Sequence, residues 1–312
     1  MIRIFALTII AVVWSLPRHV HAQTPECLPP DPPASSQELV DWLDCTLVEF
    51  QDVWKDDIVS GILLAHPKFG AVRELELVYV SDCDFSPRLE DVDEDGHLEV
   101  VFNTRLLIPQ IAASQAILWY LIAPDGMVPP EAHLAYINNS LLPSVREDAR
   151  ACSQENVTGR YSMVPIATVF DADREAYPVF LSMDSPQVRR IGDYVGALPS
   201  FSTLIHEAGH AALHLNGPQP TSALARELEA DSFAADVFAT NDVPSALGLA
   251  YLLLSYDLNR GGVSPQIACR IVALTTRSDR RASPELGTQT LARIDSLSEA
   301  YAEYYKSLCA DL

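Results

Sequence analysis

Residues 200–217, Ser200-Phe-Ser-Thr-Leu-Ile-His206-Glu207-Ala-Gly-His210-Ala-Ala-Leu-His214-Leu-Asn216-Gly217, carry the most informative pattern in the chain. At about 100° of rotation per residue, Phe201, Leu204, Ile205, Ala208, Ala212 and Leu215 fall on one side of a helix, and His206 and His210 fall on the other. The stretch therefore predicts a helix over 200–215 with one face in the core and one free for chemistry. Histidines at i and i+4 stand one turn apart, so both imidazoles can reach a single Zn²⁺ at about 2.0–2.1 Å. Glu207 projects beside them, where a carboxylate can take a proton from a water activated by the metal. His214 adds one more turn, but it lies about 12 Å from His206 along the helix axis. One metal cannot span that distance, and a surface or substrate-lining role is expected for it.

Seventeen residues beyond His210 comes Ala225-Arg226-Glu227-Leu228-Glu229-Ala230-Asp231-Ser232-Phe233-Ala234-Ala235. Glu227 and Asp231 share one face of a second helix by their i, i+4 spacing, and Asn216-Gly217-Pro218 lets the chain turn back between the two helices. Glu227 is the expected third metal ligand. Asp231 is expected to accept the spare N–H of a liganding histidine, His206, and so to fix its tautomer. Glu229 competes for the ligand role, but two residues of helix rotate it away from the Glu227 side.

This pattern resembles the gluzincins, zinc peptidases whose third ligand is a glutamate on a second helix. Their Glu followed four residues later by Asp is matched by Glu227 and Asp231. More locally, HEAGHAALH followed by E-x-E-A-D-x-F-A-A is similar to the small peptidases of phage-repressor and radiation-response regulation, and more loosely to the membrane-bound prenyl-protein and heat-shock peptidases. The likeness covers residues 200–240; it departs from many of the regulatory peptidases at Asp231, where they carry Asn, and in an N-terminus that reads as an export signal. A metzincin would need Gly and a third His where Leu213 and Asn216 stand. The resemblance implies a zincin-like catalytic region and hydrolysis of a peptide or protein substrate.

Outward from the motif, the chain is expected to be helical over 222–239, 245–258, 265–275 and 284–308, with breaks at Asn241-Asp242-Val243-Pro244, Gly261-Gly262 and the polar run 278–283. Upstream, short strand signals occupy 161–181, and residues 143–159 are polar and suit a boundary. A further helix is expected over 37–55 and a helical or buried apolar stretch over 111–122, broken by Pro124, Pro129 and Pro130. The segments ELELVYV at 74–80 and HLEVVF at 97–102 alternate as strands do. The fold class that follows is α+β, a mixed N-terminal region at 23–155 ahead of a mainly helical region at 156–312.

The two strand segments flank an acidic stretch, Asp91-Val92-Asp93-Glu94-Asp95-Gly96. With Glu99, Asp91, Asp93 and Asp95 follow the oxygen-rich opening of a calcium loop, but Phe102 stands where an EF-hand needs its bidentate Glu. The other reading is an acidic hairpin turn, of which Asp-Gly between strands is the ordinary sign. Ca²⁺ is thus a second candidate ion beside Zn²⁺.

Residues 1–22 combine Arg3, an apolar run over 4–16 and a close at Val20-His21-Ala22, the pattern of a signal peptide cut after Ala22. The apolar run is too short for a membrane anchor, which needs about 18 residues, so a secreted or periplasmic protein without stable membrane insertion is expected. A Pro-rich leader at 24–36 follows. All six cysteines, at 27, 45, 83, 152, 269 and 309, lie beyond that point and no C-x-x-C occurs, which suits disulfides in an oxidising compartment. The simplest pairing joins neighbours, 27 with 45, 83 with 152 and 269 with 309. The net charge of −21, which loss of Arg3 and Arg18 carries to −23, repels phosphate backbones and excludes nucleic acid as a partner.

Taken together, the residues predict an exported zinc metallopeptidase, with Glu207 as general base and one of Tyr161, Tyr194, Tyr251 or Tyr256 as an oxyanion donor. A non-catalytic, zinc- or calcium-stabilised envelope binding protein is the alternative, and a hydrolase of non-peptide amides would use the same residues.

Overall fold

The structure is a computed structural model that describes residues 74–80, 83, 87–90, 97–103, 113, 116–117, 120–121, 129–143, 146–147, 150, 202–213, 220–240, 263–277 and 287–310. Within these residues the protein is α+β, with a three-stranded sheet and a set of helices. Several expectations lie outside them: residues 1–22, the helices over 37–55 and 245–258, the strands over 161–181 and the boundary at 155.

The sheet has strands β1 (Glu74–Val80), β2 (Arg88–Glu90) and β3 (His97–Asn103) in the order β1-β3-β2. β1 and β3 appear where the alternation of the sequence puts them. Their pairing is parallel, Glu74 opposite His97 through Val80 opposite Asn103, so they do not form a hairpin with each other. The antiparallel partner of β3 is β2, with Arg88 opposite Val101 and Glu90 opposite Glu99, and residues 91–96 join those two strands. A three-residue strand has too little alternation to be read from sequence. The central position of β3 shows in its burial: Leu98 and Val100 to Asn103 are all buried, as befits a strand covered on both faces.

The helices begin with α1 (Pro130–Tyr136), which enters on Pro129, carries Pro130 in its first turn and runs on into a π-helical turn, Ile137–Leu141. Proline at a helix start removes an N–H that would have no partner there. Pro129 and Pro130 thus start a helix, and the described residues of the preceding stretch, 113, 116, 117, 120 and 121, are helical and buried. Next come α2 (202–213), α3 (Ala223–Thr240), α4 (Pro265–Thr275) and α5 (Thr288–Ala310). α3 is rich in Ala, Leu, Glu and Arg, all strong helix formers, and the Ser222 hydroxyl accepts from the Ala225 N–H at 3.1 Å. α4 starts the same way, with the Ser264 hydroxyl accepting from Ile267 N–H at 3.3 Å ahead of Pro265.

α4 packs mainly on α5 and also on α3, while α5 reaches back to α1. The α5–α1 contact is aromatic and polar. The Tyr301 hydroxyl lies 3.2 Å from His133 Nδ1, and the Tyr305 hydroxyl donates to Asn138 Oδ1 at 2.9 Å. Burial pushes the His133 imidazole down to about 3, so it stays neutral and serves as core. Arg293 of α5 donates to the carbonyls of Tyr120 and Leu121, tying α5 to that stretch.

A disulfide joins Cys269 of α4 to Cys309 of α5 across a sequence separation of 40. This is one of the three neighbour pairings expected. Closing a loop of that size removes unfolded-state entropy worth about 4 kcal/mol. Cys83 is also disulfide-bonded, and no free cysteine occurs among the described residues. No helix among the described residues is long and apolar enough to cross a membrane.

Candidate metal centre

α2 and α3 cross closely because of one residue. A Cβ placed on Gly209 would meet the Phe233 ring at 3.1 Å and the Ala230 backbone at 3.2 Å. Glycine in a helix interior costs about 1 kcal/mol relative to alanine, and here it allows the approach that sets His206 and His210 of α2 against Glu227 and Asp231 of α3. Gly209→Ala is expected to push α3 outward by a few tenths of an ångström and to destabilise the fold by about 1–3 kcal/mol, as overpacking does. Thermal melts check the stability, and a zinc titration checks the displaced Glu227. A variant as stable as wild type would contradict the contact.

The sequence leaves the histidine face of α2 open; in the structure it is covered. Leu204, Ile205, Ala208, Ala211 and Ala212 are buried as core, and Ser202, Thr203, His206 and Glu207 are buried as well, with His206 fully so. α3 and α4 close over that face, whereas His210 is half-buried. Buried polar groups need partners, and those of His206 come from His210 on its own helix and from α3 and α4.

His206 Nε2 and His210 Nε2 lie 3.1 Å apart. The Glu227 carboxylate is 3.3 Å from His206 Nε2 through Oε2 and 3.5 Å from His210 Nε2 through Oε1. Ligands about 2.0–2.1 Å from a tetrahedral zinc stand about 3.4 Å from one another, so the donor set fits the ion in both chemistry and spacing. His206 Nδ1 lies 2.9 Å from Asp231 Oδ1, the carboxylate–histidine pairing that fixes which ring nitrogen faces a metal. Glu229, the competing residue on α3, is exposed.

The sequence reading missed Arg270 of α4, which is buried in the same place. Its Nε donates to Asp231 Oδ2 at 2.7 Å, its Nη2 to Asp231 Oδ1 at 2.8 Å, and its Nη1 lies 2.9 Å from Glu227 Oε2. Nη2 is also 3.5 Å from His206 Nε2. One signal was available: Arg270 is the sole charged residue of PQIACRIVALT, and a lone cation on a largely buried helix must find an anion.

These contacts set the electrostatics. Burial pushes the His206 imidazole towards neutrality, but hydrogen bonds to Asp231 and Glu227 override it and raise the group from 6.5 to about 9. Burial alone would raise both carboxyls; hydrogen bonding with His206 and His210 and the charge of Arg270 hold Glu227 well below the ordinary carboxylate range. The Arg270 guanidinium, by charge and hydrogen bond, and His206 do the same against burial for Asp231.

Of the other sequence-derived candidates, only Glu99 is among the described residues. Asp91, Asp93 and Asp95 lie outside the described residues, as do His214, Tyr161, Tyr194, Tyr251 and Tyr256. Glu99 is on β3, where its carboxylate, that of Glu76 and the His97 ring come within 4.8 Å of one another on a partly exposed patch of the sheet. No protein family, characterised protein or solved structure matches the chain, so the arrangement of His206, His210, Glu227, Asp231 and Arg270 rests on its own geometry.

Proposed function

We propose that the protein is an exported zinc-dependent metallopeptidase. The observation that carries this reading is the convergence of His206, His210 and Glu227 at tetrahedral spacing, with Glu207 adjoining His206 on the same helix. When bound there, zinc supplies a Lewis acid that polarises a carbonyl and activates a water near neutral pH. His206 and His210 would hold the ion through Nε2, and Glu227 through its carboxylate. Asp231 keeps the His206 ring oriented. Glu207 accepts the proton of the attacking water and returns it to the leaving amine. A purely structural site would have no use for a base in that place, which favours catalysis over the binding-protein alternative. Export is supported by the N-terminal pattern together with a disulfide-bonded pair.

The test is metal content and hydrolysis of casein or a peptide library by the mature protein. About one zinc per chain with cleavage sustains the proposal. Zinc without cleavage of any peptide favours the binding protein or the non-peptide amide hydrolase, and absence of zinc binding removes the basis of all three.

A pH dependence follows from His206. In the metal-free site this group is protonated below about 9, so zinc must displace a proton to bind. Apparent affinity is expected to fall about tenfold per pH unit from 9 down to neutrality and to level off above 9. The raised His206 stabilises the metal-free fold fully below 6.5 and loses that contribution as pH rises through about 9. Chelator-competition titrations at several pH values check it, and a flat profile would contradict it.

A further inference from the structure

We infer that Arg270 is a positioning residue of this metal site, clamping the third ligand Glu227 and the orienting carboxylate Asp231 into one rigid unit. The inference rests on the zinc reading above and adds to it a residue from a third helix. Glu227 and Asp231 are one helical turn apart, and a guanidinium is the side chain that can reach both at once. Nε and Nη2 present a flat fork to both oxygens of Asp231, at 2.7 and 2.8 Å, while Nη1 stands 2.9 Å from Glu227 Oε2 as an ion pair. The guanidinium beside Oε2 restrains the carboxylate that would hold a metal together with His206 and His210. Holding Asp231 by both oxygens fixes the one that lies 2.9 Å from His206 Nδ1. A single side chain thereby restrains two of the three ligands.

Charge points the same way. Glu227 and Asp231 set two carboxylates in a largely buried space, and Arg270 brings its cation within 2.9 Å of one and 2.7 Å of the other. The clamp is also mounted rigidly. α4 is capped by Ser264 at its start, the neighbouring Cys269 is bonded to Cys309 of α5, and Arg277 beyond its end donates to Asp236 of α3 at 2.7 Å. Fixing the helix at both ends of its length fixes the point from which the guanidinium reaches.

A merely structural role, as a tie between α3 and α4, would lower stability without altering the metal site. Arg270→Lys separates the two, because an ammonium keeps the charge but cannot form the fork. The expected result is a folded protein whose zinc affinity is about 10–100-fold weaker. The visible absorption of its cobalt-substituted form is expected to shift, and kcat to drop more than KM changes. Should the Lys variant melt below the assay temperature, the zinc titration and the cobalt spectrum are taken below its melting temperature, beside wild type at the same temperature. A variant with a lowered melting temperature but wild-type zinc affinity and cobalt spectrum would overturn the inference while leaving the metal site intact. Failure of the wild-type protein itself to bind zinc or cobalt would instead overturn the metal site, and the inference with it.

Discussion

Glu207→Gln is expected to lower kcat by about 10²–10⁴-fold while leaving one zinc per chain. Glutamine keeps the volume and planarity of glutamate, and Glu207 is only 3% exposed, so the substitution conserves packing in a place where an added or lost methylene would be felt. What disappears is the ability to accept a proton and give it back. The loss corresponds to about 3–5 kcal/mol of transition-state stabilisation. Because Glu207 is not among the three groups at metal-ligand spacing, zinc stoichiometry should not move. Steady-state kinetics beside metal analysis distinguishes the outcomes. A fully active Gln variant would remove Glu207 from the mechanism, and a variant without zinc would mean that it serves as a ligand.

Glu227→Ala has its largest effect one step earlier, on metal binding. It takes away the carboxylate that closes the triangle with His206 and His210, and it leaves Nη1 of Arg270 without its partner. Outer partners of a metal site cost about 10–100-fold in affinity when lost, so loss of a direct ligand is expected to exceed about 100-fold. Activity should fall with the metal and recover only in part at high zinc. Glu229→Ala is the matched control, since it removes an exposed carboxylate from the same helix and should change stability by no more than about 0.5 kcal/mol. Equal loss of zinc in both variants would point to a general effect of α3, and zinc retained by Glu227→Ala would remove Glu227 from the ligand set.

Gly209, Glu227 and Arg270 together show why the three helices must be considered as one device. Gly209 sets the distance between α2 and α3, Glu227 occupies that gap, and Arg270 enters from α4 to hold what the gap contains. The Cys269–Cys309 bridge fixes α4 beside the residue that does the holding. Each element is ordinary by itself; their meeting produces the site.

By itself, the sequence determined what depends on helix and strand periodicity. Four residues of α-helix bring His206 over His210 and Glu227 over Asp231, whatever the rest of the chain does. The alternation in ELELVYV and HLEVVF likewise marks β1 and β3, and the helix expected over 265–275 is α4. Only the tertiary structure decided how those elements meet. β1 and β3 pair in parallel, and the antiparallel partner of β3 is the three-residue β2, which is too short to leave a pattern. The histidine face of α2 is buried because α3 and α4 cover it, a fact that periodicity within α2 cannot encode. Arg270 stands 39 residues from Asp231 and 64 from His206, so no local spacing links them. Its place in the site is fixed by the cost of burying a cation and two carboxylates apart from one another, a cost that arises only once the helices have packed.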